Sequence, residues 1–189
     1  MIINIGRELA AGGRAVGQAL SAVLSLKYYD KELLLEAARV SNFDANLFVR
    51  ADEVYNPYMY ALGGGNPELF QIQSQVIRKL ATAGNCIFVG RCADYILRDR
   101  KDCLNIFLSC NKAERVKRLE KRLSLSAKHA EELIEKTDKQ REAYYNFYTN
   151  GRWGEANNYD LCINTTTIDI DTTVQIIRNL CDTLYPNRS

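Results

Sequence analysis

Ile2-Ile3-Asn4-Ile5, then Gly6-Arg7-Glu8-Leu9-Ala10-Ala11-Gly12-Gly13-Arg14, then Ala15-Val16-Gly17-Gln18-Ala19-Leu20 open the chain. The first run reads as a short buried strand, the second as a small-residue turn and the third as the start of a helix. A strand that turns through glycines into a helix N-terminus leaves unpaired N–H groups at the positive end of the helix dipole, which makes an anion site. Gly12 and Gly13 allow a ligand close to the backbone. The same residues also fit an ordinary strand–turn–helix corner. The stretch departs from the standard phosphate loop, G-x-x-x-x-G-K-[ST]. If Gly12 is the last loop glycine, Gly13 stands in the lysine place and Arg14 in the hydroxyl place. If Gly13 is that glycine, Arg14 replaces the lysine and Ala15 the hydroxyl. Either way the lysine and the Ser/Thr magnesium ligand are missing, while Arg14 offers a planar fork for phosphate.

The totals narrow the field. A length of 189 residues fits one domain, and 47% hydrophobic residues can build a real core. A net charge of +2 argues against general affinity for nucleic acid or anionic lipid. No apolar run approaches the roughly 18 residues of a membrane span. The N-terminus lacks a charged start followed by an apolar stretch, so the expected location is the cytoplasm. The six cysteines form no C-x-x-C pair, and His129 is the only histidine, sitting in a charged helical stretch. Zinc sites and Cys-His or Ser-His catalysis are not expected, and no metal ligand is assigned.

Leu26–Tyr29 reads as a second strand, and Asp30 ends it either as an N-cap for a helix over Lys31–Arg39 or as a ligand contact. Residues 41–66 are irregular; Gly63-Gly64-Gly65 reads as a hinge rather than a second phosphate loop, because no strand precedes it. A helix is predicted over Glu68–Ala83, with Gly84 ending it. Cys86–Val89 is an apolar run suited to burial on both sheet faces. Gly90-Arg91 follows, then a helix over Ala93–Arg98. Leu104–Leu108 is the fourth strand, and Asn111 is placed to cap the next helix. Lys112, Arg115, Arg118 and Arg122 share one face of that helix. Arg115 reads as part of a solvated face paired with Glu114 and Glu120. Ser126–Tyr148 reads as one long or broken helix, Gly151–Gly154 as a loop, Asp160–Ile163 as the fifth strand, and Asp171–Leu184 as the last helix. Tyr144, Tyr145, Phe147 and Tyr148 read as packing groups.

Short apolar strands separated by helices predict an α/β fold, a five-stranded parallel sheet with helices on both faces. Such sheets bind ligands at the C-terminal edges of their strands. Gly12, Gly13, Asp30, Arg91 and Asn164 all fall at that edge.

Ala11–Gly17, Tyr29–Leu33, Val89–Asp94, Asp138–Arg141 and Tyr159–Asn164, in this order, resemble the cytidylate kinase-like family of P-loop nucleoside monophosphate kinases. The resemblance implies a three-layer P-loop fold with core segments 1–30, 85–122 and 156–189. It also implies a helical monophosphate-binding insertion at 31–84 and a helical lid at 123–155. The implied activity is phosphoryl transfer from ATP, with Mg2+, to a nucleoside monophosphate, CMP or dCMP first. The alternatives are a nucleotide-binding regulator without transfer and a kinase for another small metabolite. Small-molecule nucleotides are the expected partners, with no nucleic acid or membrane. Ala10, Ala11, Gly12, Gly13, Arg14 and Ala15 are expected on the ATP phosphates, and Asn164 and Thr165 on the adenine side. Asp30, Arg91, Asp94 and Asp138 are expected on the acceptor. Arg14, Arg118 and Arg141 are expected to carry catalysis, since this transfer needs positive charge more than a base. Cytidylate kinases carry Gly-Arg-Asp after the third strand; here Cys92 stands in the acid's place. Their lid Asp-x-x-Arg is matched by Asp138 and Arg141, but the Arg-Asp before it is not matched by Ile134-Glu135.

Overall fold

A computed structural model describes residues 1–30 and 67–186. The helix expected at Lys31–Arg39, the glycine triplet and most of the expected monophosphate insertion lie outside the described residues. Five strands, β1 (Ile2–Arg7), β2 (Lys27–Tyr29), β3 (Cys86–Val89), β4 (Cys103–Ser109) and β5 (Leu161–Asn164), form one sheet in the order β2-β3-β1-β4-β5. Every pairing is parallel. The helices are α1 (Gly13–Leu24), α2 (Pro67–Thr82), α3 (Ala93–Ile96), α4 (Lys112–Leu123), α5 (Ala127–Thr149) and α6 (Ile170–Leu184). β1 lies at the centre, and the order reverses beside it, so the crevice at its C-terminal end is where a ligand of such a sheet binds.

Both sheet faces are covered at its centre, which is why β3 is an unbroken apolar run and why Asn4 of β1, itself buried, donates its amide N–H to Asn105 Oδ1 of β4 at 2.8 Å. On one face Ile3, Ile5, Val89 and Ile106 pack with Val16 and Leu20 of α1 and Val174 and Ile177 of α6. On the other, Ile2, Cys86 and Phe88 pack with Val76 and Ile77 of α2, Ala93 and Ile96 of α3, and Tyr145 of α5. A third cluster joins α4 to α5 through Val116, Leu119, Ala130 and Ile134, with Leu9 and Ala10 against it. Burying about 25 cal/mol per Å² of apolar surface, these clusters supply the main favourable term of folding.

Several expected boundaries move. β1 runs two residues past Ile5, pairing Gly6 with Phe107 and Arg7 with Leu108. α1 starts at Gly13 rather than Ala15. α3 is shorter than expected, ending at Ile96. The segment after Ser126 is one unbroken helix of 23 residues, with the Ser126 hydroxyl accepting the His129 N–H. Asn111 occupies the N-cap of α4 without a side-chain cap bond; its own N–H donates to Thr166 Oγ1 at 2.7 Å.

Candidate active site

The loop after β1 is held from outside, which leaves its inner side open. Glu8 accepts the Cys110 N–H at 2.8 Å. Asp138, on α5, accepts the Leu9 N–H at 2.8 Å. Arg118, on α4, donates to the Ala10 carbonyl at 3.2 Å. Ala10 is held at φ +62 and Gly12 at φ +92, the first a conformation that non-glycine residues adopt only when their surroundings impose it. Gly12 is the N-cap of α1 with no side-chain cap bond, and no acidic residue lies in the helix's first turn. The N–H groups of Gly13, Arg14 and Ala15 have no intrahelical acceptor. These three residues line a cavity of about 520 Å³ together with Gly12, Arg122 and Asp30, the last expected on the acceptor but set here beside the glycine loop.

This geometry settles the register of the loop. Gly12 is the turn glycine and Gly13 the first helical residue, so Gly13 occupies the lysine place and Arg14 the hydroxyl place. Arg14 is mostly exposed and lies 3.9 Å from Asp30. Asp30 also accepts the Tyr28 O–H at 3.2 Å, and burial together with this carboxylate pushes the Tyr28 phenol up to about 12.

A second cavity, of about 370 Å³, lies on the other side of the β1–β3 crevice. Arg91, Asp94, Gln140, Tyr144 and Trp153 are among its walls. Arg91 is in the left-handed region at φ +62, follows Gly90 at φ +81, and sets its guanidinium 6.0 Å from the Tyr144 ring centre. Asp94 accepts the Tyr145 O–H at 2.8 Å, and burial raises its carboxyl above the ordinary range despite that bond. Tyr144, expected only to pack, lines this cavity and hydrogen-bonds Gln73 at 3.0 Å. The two cavities share two wall residues, Arg7 and Arg141. Arg141 reaches from α5 to donate to the Arg7 carbonyl at 3.1 Å. Its burial, offset in part by Asp138, lowers its pKa.

Other expected site residues sit elsewhere. Ala11 is fully buried; its N–H goes to the Glu8 carbonyl at 3.3 Å and its carbonyl accepts from Thr165 Oγ1 at 3.0 Å, so no donor is left for phosphate. Thr165 is 1% exposed and is a staple between loops rather than an adenine contact. Arg118 lines the larger cavity but spends its guanidinium on Ala10 and on Thr165 Oγ1 and O, at 3.1 and 2.7 Å. Asn164 accepts the Thr166 N–H at 3.0 Å and lines neither of these two cavities. Asp138, expected on the acceptor, is turned to the loop and to Arg115. Arg115 is buried, paired with Asp138 and 3.7 Å from Glu8, which corrects its reading as a solvated side chain. Arg7 was hidden by ending the first strand at Ile5; the absent loop lysine was the signal that a cation had to come from elsewhere.

A sequence model of the cytidylate kinase-like family matches residues 2–167. The chain belongs to that family. Family membership supports a nucleotide or small-molecule kinase. No curated protein matches the chain. An uncharacterised protein from Eubacterium ventriosum is 30% identical with a TM-score of 0.79, covering 97% of this chain and 99% of its own. Shikimate kinase from Bacteroides thetaiotaomicron shares the fold at 14% identity and a TM-score of 0.59, over 96% and 98% of the two chains. The YorR protein of Bacillus subtilis, solved with phosphorylated GDP, does so at 14% identity and 0.52, over the whole of both. The cytidylate kinase-like chain thus carries the P-loop kinase fold with an altered loop.

Proposed function

We propose that this chain transfers the γ-phosphoryl group of ATP to a nucleoside monophosphate, with CMP and dCMP the first candidates. The observation that carries the reading is the pair of cavities meeting at Arg7 and Arg141. The larger holds the ATP phosphates over the start of α1, with Arg14 and Arg122 nearby. The smaller holds the acceptor, with its phosphate on Arg91 and its base among Tyr144, Trp153 and Asp94. An oxygen of the acceptor phosphate attacks the γ-phosphorus, the bond to the β–γ bridging oxygen breaks, and that oxygen keeps the electron pair on ADP. The attacking phosphate is already ionised near neutral pH, so no base is needed, in keeping with a site built from arginines.

Mg2+ fits the larger cavity through Asp30, since this ion takes one or two carboxylates and completes its shell with phosphate oxygens and water. When bound it neutralises charge on the β and γ oxygens. The missing loop lysine and hydroxyl, with Gly13 and Arg14 in their places, favour the second reading, a nucleotide-binding regulator. A product assay with ATP and CMP, dCMP, UMP, AMP and small phosphorylatable metabolites separates the two. Acceptor-dependent ADP with a nucleoside diphosphate as co-product is expected. ATP binding without turnover across that panel overturns the kinase reading.

A further inference from the structure

The phosphate loop lacks its lysine, yet the room a side chain needs there is already filled. A Cβ built on Gly13 would lie 2.7 Å from Arg7 Cγ and 3.2 Å from Arg7 Cβ and Cδ. Arg7 leaves the end of β1, crosses the first residue of α1 and carries its head over Gly90, where any side chain would strike its Nη1. Two glycines therefore flank one arginine, one at the stem and one at the head. Its head lies where the cavities meet. Among the described residues no carboxylate lies within ion-pairing distance of this guanidinium. The charges that weigh most on it are Arg141 and Arg91, which together with burial, the larger effect, push it down to about 9. Cations gathered this way are stabilised by a polyanion between them.

We propose that Arg7 is a catalytic residue that replaces the missing loop lysine, reaching the transferred phosphoryl group from β1 through the space left at Gly13. The assignment rests on the phosphoryl transfer proposed above. The lysine of a standard loop neutralises the β and γ phosphates as the bond to the bridging oxygen breaks. Arg7 does this from a neighbouring strand, with two parallel donors in place of one point charge. Gly13 is then a requirement, because a side chain there and the Arg7 stem exclude each other.

The test compares wild type, Arg7→Met, Arg7→Ala and the pair Arg7→Ala/Gly13→Lys. Turnover is read with ATP and the best acceptor, and ATP and ADP binding by calorimetry. Methionine keeps an unbranched apolar stem against Gly13 and removes the charge. Arg7→Met should lower kcat about 10²–10³-fold, the loss typical of one removed transition-state donor. It should also erase the preference for ATP over ADP. The pair should recover at least roughly tenfold in kcat over Arg7→Ala by returning a cation to the loop. A kcat within about threefold of wild type in Arg7→Met, with the ATP preference kept, overturns the assignment. Where Arg7→Met does not fold, the pair decides: a folded, active pair supports it and a folded, inactive pair overturns it. Absence of turnover in the wild-type chain would overturn the proposed function instead. In that case the catalytic assignment falls with it, and a loss of the preference for ATP over ADP in Arg7→Met would show Arg7 as a contact to the γ-phosphate alone.

Discussion

The Asp138 carboxylate accepts the Leu9 N–H at 2.8 Å, so a helix outside the sheet fixes the backbone of the glycine loop. The same carboxylate pairs with Arg115, whose side chain is only 9% exposed. Asp138→Ala leaves that buried guanidinium with Glu8 at 3.7 Å as its remaining acid. Breaking a buried pair on one side costs about 3–5 kcal/mol, and Glu8 sets the expectation at the lower end. Asp138→Asn keeps an acceptor for Leu9 and should fall between wild type and alanine. Thermal unfolding of the three proteins checks this order; an unchanged midpoint for the alanine variant refutes it.

Arg141 is tied to the Arg7 carbonyl at 3.1 Å and lies 3.9 Å from Asp138, which places its head at the join of the cavities. Arg141→Ala should lower kcat about a hundredfold or more while weakening ATP binding much less. Steady-state kinetics beside ATP calorimetry reads this split. Equal losses in both would mean that Arg141 acts on the ground state only.

Arg91 is expected to hold the acceptor phosphate. Asp94, the acid three residues on, is engaged by Tyr145 at 2.8 Å. Losing one charge-assisted contact costs on the order of 1.5–3 kcal/mol. Arg91→Ala should therefore raise the acceptor KM roughly tenfold or more, with ATP affinity and the melting midpoint nearly unchanged. Arg91→Lys should recover part of the loss, because an ammonium cannot bind bidentately. Unfolding of the alanine variant at unchanged acceptor affinity would make Arg91 structural.

Asp94 gives the fold a pH signature. Burial raises its folded pKa above the ordinary 3.8, so the native state holds this proton more tightly than the unfolded chain does. Its contribution to stability is full below the unfolded value and is lost as pH rises through the folded one. Asp94→Asn cannot titrate and still accepts the Tyr145 O–H. The variant should show a flatter dependence of melting midpoint on pH across the acid range and be no less stable at neutral pH. Scanning calorimetry over a pH series checks this, and an identical slope in both proteins rules Asp94 out as the source.

The sheet was legible because Ile2–Ile5 and Cys86–Val89 are buried throughout, as is Leu104–Leu108 apart from the half-buried Asn105, and none of the three alternates polar with apolar. The glycine loop and the edge position of Arg91 followed from strand ends alone. The places where the reading failed depend on partners distant in sequence. Arg7 belongs to β1 because it pairs with Leu108. Arg115 looked like any cation in a charged helix, and what buries it is Asp138, 23 residues on and in the next helix. Thr165 was expected on the adenine side, but its hydroxyl is used 154 residues away on Ala11. Local windows see periodicity and turn chemistry; they do not see which carboxylate or carbonyl folding brings alongside.

Trp153 is the only tryptophan in the chain, and it stands edge-on to Phe107 in the wall of the smaller cavity. The protein therefore carries a built-in optical probe at a single address. Excited at the red edge, where the eleven tyrosines are silent, its emission comes from that wall alone. A molecule entering the smaller cavity changes the polarity around the indole, whereas one confined to the larger cavity does not touch it. The two substrates can then be titrated apart by light, in the unlabelled protein.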